Sequence, residues 1–178
     1  MSASVDAAHG FAARTPEATR TRLLTWHDPM PTAAAGAEMA GIDYMRALAS
    51  GELPPPPIAV TMRAAPVEIA EGRVVFEGEP GEEHYNPIGV VHGGYAATLL
   101  DSAMGCAVHT TLPAGTGYTT LTLETKFVRP ITGETGRVRC EAEVLHRGRH
   151  QATAEGRVTD NDGKVLAHAT STCMIFGG

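Results

Sequence analysis

Positive charge is in short supply: 14 lysines and arginines face 20 aspartates and glutamates across 178 residues, leaving a net charge of -6 and an isoelectric point near 5.7. A general nucleic-acid binder needs a basic face for phosphate, so that class is excluded. Cysteine is rarer still. Cys106, Cys140 and Cys173 are odd in number, widely spaced and set in apolar segments, which reads as buried reduced thiols rather than a disulfide framework or metal site. No apolar run approaches the eighteen or so residues that span a bilayer, and no charged stretch followed by an apolar one opens the chain. The expected location is the cytoplasm. G-x-S-x-G, H-E-x-x-H, Walker and G-x-G-x-x-G motifs are all missing, so serine-hydrolase, zinc-hydrolase and nucleotide-fold chemistry lose their usual signatures. Eight histidines are scattered without metal-ligand spacing, and Asp160-x-Asp162-Gly163 lacks the flanking acids of a calcium loop and reads as a turn.

What is present is one domain's worth of core, with 43% hydrophobic residues. The first dozen residues read as a loose tail. Thr15-Pro16-Glu17 predicts a helix start, ending near His27-Asp28-Pro29. Met39, Ile42, Met45 and Leu48 predict a second helix from about Thr32 to Ser50, stopped by Gly51 and packed across the main domain, either as the roof of a pocket or as a simple structural cap. Pro54 to Pro57 read as a stiff connector into a strand near Ile58 to Met62. Val67, Ile69, Val74 and Phe76 then alternate around a Glu71-Gly72 hairpin turn. Further strands are expected over about Gly117 to Arg129, along Val138, Cys140, Ala142 and Val144, along Ala152, Ala154 and Val158, and over Val165 to Phe176. The turns Arg147-Gly148-Arg149 and Asp160 to Gly163 predict antiparallel hairpins, one face packed and one wet. Periodicity alone gives an α+β class.

The organising stretch is Asn86 to Asp101, N-P-I-G-V-V-H-G-G-Y-A-A-T-L-L-D. Gly89, Gly93 and Gly94 permit a sharp turn and close backbone approach. A helix starting near Gly94 and ending near Thr110 carries the apolar stripe Ala96, Leu99, Leu100, Ala103, Met104 and Ala107. Free amides at its N-terminus suit a developing oxyanion. Asp101 is the ionisable residue that the helix keeps among Leu100, Ala103 and Met104, and a candidate base or nucleophile. Seven residues along a helix amount to roughly 10 Å, too far for Gly94 and Asp101 to reach one carbonyl. If both act, Asp101 serves a neighbouring chain's turn, as in an isologous dimer with paired helices.

The spacing N-P-x-G-x-x-H-G-G-x-x-x-x-L-x-D, followed by T-T-L-T-L-E-T-K-F-V-R-P at Thr119 to Pro130, resembles hotdog-fold acyl-CoA thioesterases of the phenylacetic-acid-degradation (PaaI-like) type. The resemblance covers about Ile58 to Phe176. It implies an α+β hotdog fold, with a long central helix wrapped by a curved antiparallel sheet, and divides the chain into an N-terminal helical extension, 1–53, and a thioesterase domain, 54–178. It implies a hydrolase of acyl-CoA thioesters that needs no cofactor beyond the coenzyme A carried by its substrate, assembled as a homodimer or homotetramer. Carried over by position, Asp101 is the base or nucleophile, the Gly93 and Gly94 amides clamp the carbonyl, Asn86 places water or the carboxylate, and His92 orients the thioester. The strand hydroxyl falls on Thr120, or on Thr119 one register away. His146, Arg147, Gly148, Arg149 and His150 form a cationic hairpin that in this family often meets the coenzyme, and Arg129 is a further phosphate candidate. Related hotdog hydratases and dehydratases pair a histidine with the helix acid, a role open to His84. A non-catalytic acyl-CoA-binding protein would use the same turn without turnover, and acyl-carrier-protein thioesters would suit the same chemistry as substrates.

Overall fold

A computed structural model describes residues 19–177. Four α-helices, α1 (Pro29–Ala37), α2 (Gly41–Ser50), α3 (Pro57–Met62) and α4 (Gly93–His109), accompany six strands: β1 (Ala64–Ala70), β2 (Arg73–Gly78), β3 (Thr116–Phe127), β4 (Val138–Arg147), β5 (Gln151–Thr159) and β6 (Val165–Gly177). The strands form one sheet in the order β1-β2-β4-β5-β6-β3, antiparallel throughout. The three expected hairpins are present. The meander is interrupted, however, because β3 crosses to the far edge and pairs with β6 rather than β4.

The sheet wraps α4, which touches all six strands. The predicted stripe is the buried face: Ala96 and Leu99 are almost wholly covered, and Leu100, Ala103, Met104 and Ala107 are fully covered. Each large side chain among them contributes about 1.5–3 kcal/mol relative to exposure. Gly156 on β5 lets the helix come close. A Cβ there would meet Leu100 and Met104 at 3.2 Å.

Three expectations fail before β1. Residues 19–28 form no helix, and the predicted start at Thr15 lies outside the described residues. The Thr32–Ser50 helix is two helices, because the backbone near the break bonds elsewhere: the Gly41 amide donates to the Leu112 carbonyl at 3.0 Å, and the Ala37 carbonyl accepts from Gly115 at 3.0 Å. The Ile58–Met62 strand is helix α3. Pro57 is its first residue, where a missing N–H costs no hydrogen bond, and Arg63 ends it in the left-handed region at φ 50°.

α3 is also tied from outside. Arg22 donates to the Thr61 and Val60 carbonyls at 3.0 and 2.7 Å and pairs with Glu83 at 3.2 Å. At the other hairpin, the Asp160 carboxylate accepts from the Asp162 and Lys164 amides, both at 2.9 Å. Asp160 is therefore a turn-former, as expected.

Candidate active site

The turn before α4 is built from its own side chains. Asn86 Oδ1 accepts from the Ile88 and Val90 amides at 3.1 and 3.3 Å, while its backbone N–H donates to the Val90 carbonyl at 2.8 Å. Gly89 alone of the three turn glycines has positive φ, at 83°. Gly93 and Gly94 are helical, and their missing side chains matter for space instead. A Cβ on Gly93 would lie 3.1 Å from the Phe127 ring, and one on Gly94 would lie 2.8 Å from His92 Nδ1.

His92 caps the helix, its Nδ1 accepting from the Gly94 amide at 2.8 Å. That bond occupies the Gly94 donor and leaves Gly93, the first helical residue, with no acceptor among the described residues for its amide. Of the two expected clamp amides, Gly93 is the open one.

Asp101 lies further along the helix, on a different face from Leu100, Ala103 and Met104. With Thr98, Ser102 and Gly105 it lines a cavity of about 410 Å³ between α4, β3, α2 and α3. Thr120 Oγ1 donates to Asp101 Oδ1 at 2.9 Å, so the register places Thr120 on the carboxylate, with Thr119 also lining the cavity. Behind them sit Tyr118 and Cys106. Burial holds the Tyr118 phenol neutral and pushes the Cys106 thiol up to about 12, helped by the nearby Asp101 charge. A thiol so raised is not a nucleophile at neutral pH.

His92 and Gly93 line a second cavity of about 500 Å³ with Phe127 and Arg129. One chain therefore keeps the carboxylate and the open amide apart. Arg129 Nη1 donates to the Val165 carbonyl at 2.6 Å. His146, Arg147, Arg149 and His150 are exposed, Gly148 closes the hairpin through its amide to Gln151 at 2.8 Å, and this tip lies at the Thr116 end of β3, away from Arg129.

β3 itself is a sheet edge bearing Leu121, Leu123 and Phe127 exposed at 50%, 36% and 59%. The family model of the thioesterase superfamily (4HBT) matches residues 88–167, from the turn through α4 into β6. Human acyl-coenzyme A thioesterase 13 is 32% identical over 108 residues, covering 60% of this chain and 75% of that protein. The chain belongs to the thioesterase superfamily.

This thioesterase also resembles the crystal structure of a phenylacetic acid degradation-related protein of Ralstonia eutropha. The identity is 31%, with 74% of this chain and 98% of that one covered at a TM-score of 0.67. The PaaI protein of the Escherichia coli phenylacetic acid degradation operon shares the hotdog fold at 20% identity and TM-score 0.67, covering 79% and 97% of the two chains. Sequence reasoning about the thioesterase missed the α3 wall and the companions of Asp101. A readable signal for the latter is the small and polar stripe Thr98, Asp101, Ser102, Gly105 at helical spacing, opposite the apolar one. His84 is turned elsewhere: Nδ1 accepts from the Gly81 amide at 2.9 Å, Nε2 faces the Thr61 carbonyl at 3.4 Å, and the ring packs on Tyr95 at 4.8 Å. Among the described residues, no histidine lines the Asp101 cavity.

Proposed function

We propose that this thioesterase hydrolyses acyl-coenzyme A at a site shared by two copies of the chain. The observation that carries the proposal is the Asp101–Thr120 pair in its apolar cavity, set apart from the open Gly93 amide at the other end of the exposed edge β3. Phe127 of β3 stands over Gly93, while Thr120 stands at Asp101. If β3 pairs antiparallel with its two-fold copy, the Phe127 end of one strand meets the Thr120 end of the other. That pairing also covers the apolar edge. Each Gly93 turn then faces its partner's Asp101.

In the proposed reaction the Gly93 amide donates to the thioester oxygen and stabilises the oxyanion as it forms. Asp101 of the second copy takes a proton from water as the water oxygen bonds to the carbonyl carbon, or attacks directly to give an anhydride that water then opens. In either route the C–S bond breaks and the coenzyme leaves as a thiolate, which takes up a proton. Thr120 holds the carboxylate, while His92 fixes the turn by capping and Asn86 by its two side-chain bonds. Arg129, beside Gly93, is a candidate for the coenzyme's phosphates, and the 146–150 hairpin of the second copy is another. Pairing of dimers into a tetramer, and a cytoplasmic location, complete the proposal.

The human relative's name supports coenzyme A as the carrier, and the placement of His84 counts against a histidine-dependent hydratase. Thiol release from aryl and straight-chain acyl-CoAs tests the proposal, with the native protein set against Asp101→Ala. Release that vanishes in the variant is expected. An unchanged rate in the variant, or saturable coenzyme binding with no release by the native protein, refutes it.

A further inference from the structure

The Asp101 cavity has two unlike halves. Toward α4 and β3 it is polar, and toward the N-terminal helices it is lined by Met45 and Leu48 of α2 and by Ile58, Ala59 and Met62 of α3, with Ala64 and Ala65 of β1 beside them. Neither helix falls within the family match at 88–167. α3 carries no buried side chain, and Ile58 remains 49% exposed. Its residues Ile58, Ala59 and Met62 line the cavity, and Met62 also packs against the edge of the core. Among the described residues that line the cavity there is no lysine, arginine or histidine, and the one charged group is Asp101.

We propose that α2 and α3 are the specificity element of this enzyme, an apolar end wall that selects uncharged acyl groups and sets their greatest length. The proposal rests on the reading of Asp101 as the reacting end of the cavity. A straight or aryl acyl chain whose carbonyl lies near Asp101 runs toward Met62 and Leu48 and buries the free side of α3. A chain ending in a second carboxylate brings an unpaired anion against that wall, with no cation to receive it. A chain one methylene too long meets α3, whose position is fixed by the Arg22 bonds to the Val60 and Thr61 carbonyls at 2.7 and 3.0 Å.

The test is the profile of kcat/KM for straight-chain acyl-CoAs from acetyl to palmitoyl in the native protein, Met62→Ala, Leu48→Ala and Ala59→Phe. A methylene gained or lost in an apolar pocket changes specificity by roughly tenfold or more. The two alanine variants are expected to move the optimum to longer chains by that factor, and Ala59→Phe to move it to shorter ones. Opposite shifts cannot arise from a shared loss of stability, and thermal melts establish that each variant is folded.

Pentanoyl-CoA against glutaryl-CoA provides an arm that needs no variant, since the two differ by a terminal carboxylate on the same carbon count. The native protein is expected to prefer the first by at least about a hundredfold, at the upper end of discrimination in apolar pockets. Profiles that coincide in all four proteins, or equal rates on the two five-carbon substrates, overturn the wall. Absence of thiol release from every substrate by the native protein overturns the site reading itself, and the wall with it.

Discussion

Replacing Thr120 by valine keeps the shape of the side chain and removes the 2.9 Å donation to Asp101 Oδ1. A hydrogen bond to a charged group is worth about 1.5–3 kcal/mol, which at about 1.4 kcal/mol per decade corresponds to a 10- to 150-fold fall in turnover if the bond holds the carboxylate in its reactive position. Asp101→Asn removes the charge and should cost roughly 10² to 10⁴ in rate as the loss of a general base. If Thr120 acts only through Asp101, the two losses are not additive: in the Asp101→Asn background, Thr120→Val should cost about twofold or less.

The assay is thiol release under saturating substrate by the native protein, the two single variants, the double variant and Thr120→Ser. The serine variant keeps the donor and is expected to recover most of the rate. Thermal midpoints of the five proteins measure any shared structural cost. An equal Thr120→Val loss in both backgrounds would show that the hydroxyl acts independently of the carboxylate. Near-normal turnover by Asp101→Asn would remove Asp101 from the chemistry.

Other consequences can be checked separately. Leu121→Lys places a charge on the exposed edge strand, at a side chain 50% exposed, and is expected to convert the assembly to monomers by sedimentation, with thiol release lost together with the dimer; active monomers would refute the shared site. Gly156→Val forces methyls against Leu100 and Met104, each 3.2 Å from where a Cβ would stand, and should destabilise the fold by about 1–3 kcal/mol in chemical denaturation. Acidification should act in two stages. Burial lowers the His109 pKa below its ordinary 6.5, so the unfolded chain binds the extra proton more readily and stability declines as pH falls through 6.5. The Glu68, Glu79 and Glu141 carboxyls are held below the ordinary 4.5, chiefly by hydrogen bonds from Arg139, Arg137 and Arg73 respectively, and their contribution is lost below pH 4.5. His109→Gln should flatten the upper stage of the melting curve against pH and leave the lower one.

The parts of the fold legible in the sequence were those where one physical signal dominates. Alternation in β4 to β6 and the stripe on α4 survive because each segment has one wet and one dry face. The extension failed because its conformation is decided by long-range bonds, Gly41 to Leu112 and Arg22 to the end of α3, which no local pattern announces. Prolines 54 to 57 misled because the last of them begins a helix rather than feeding a strand. At the site, the spacing from Asn86 to Asp101 predicted that the helix start and Asp101 lie too far apart for one carbonyl, and the two line separate cavities. It did not reveal that His92 takes the Gly94 amide, since a capping bond depends on a rotamer.

The pairing of β3 with β6 slips by one residue between Thr120 and Thr122, with Leu121 left over. Before the slip, Tyr118 and Thr120 look toward α4; after it, the parity of the strand is inverted, so that Thr125 and Phe127 do. An unbroken strand would carry Thr122, Glu124 and Lys126 inward and turn Phe127 away from Gly93. One supernumerary residue thus acts as a phase inverter, letting a single strand supply a hydroxyl to the acid at one end and an aromatic lid to the amide at the other, while Glu124 and Lys126 stay in water. Deleting Leu121 would remove no functional group from the enzyme and yet exchange the interior and exterior of half the strand.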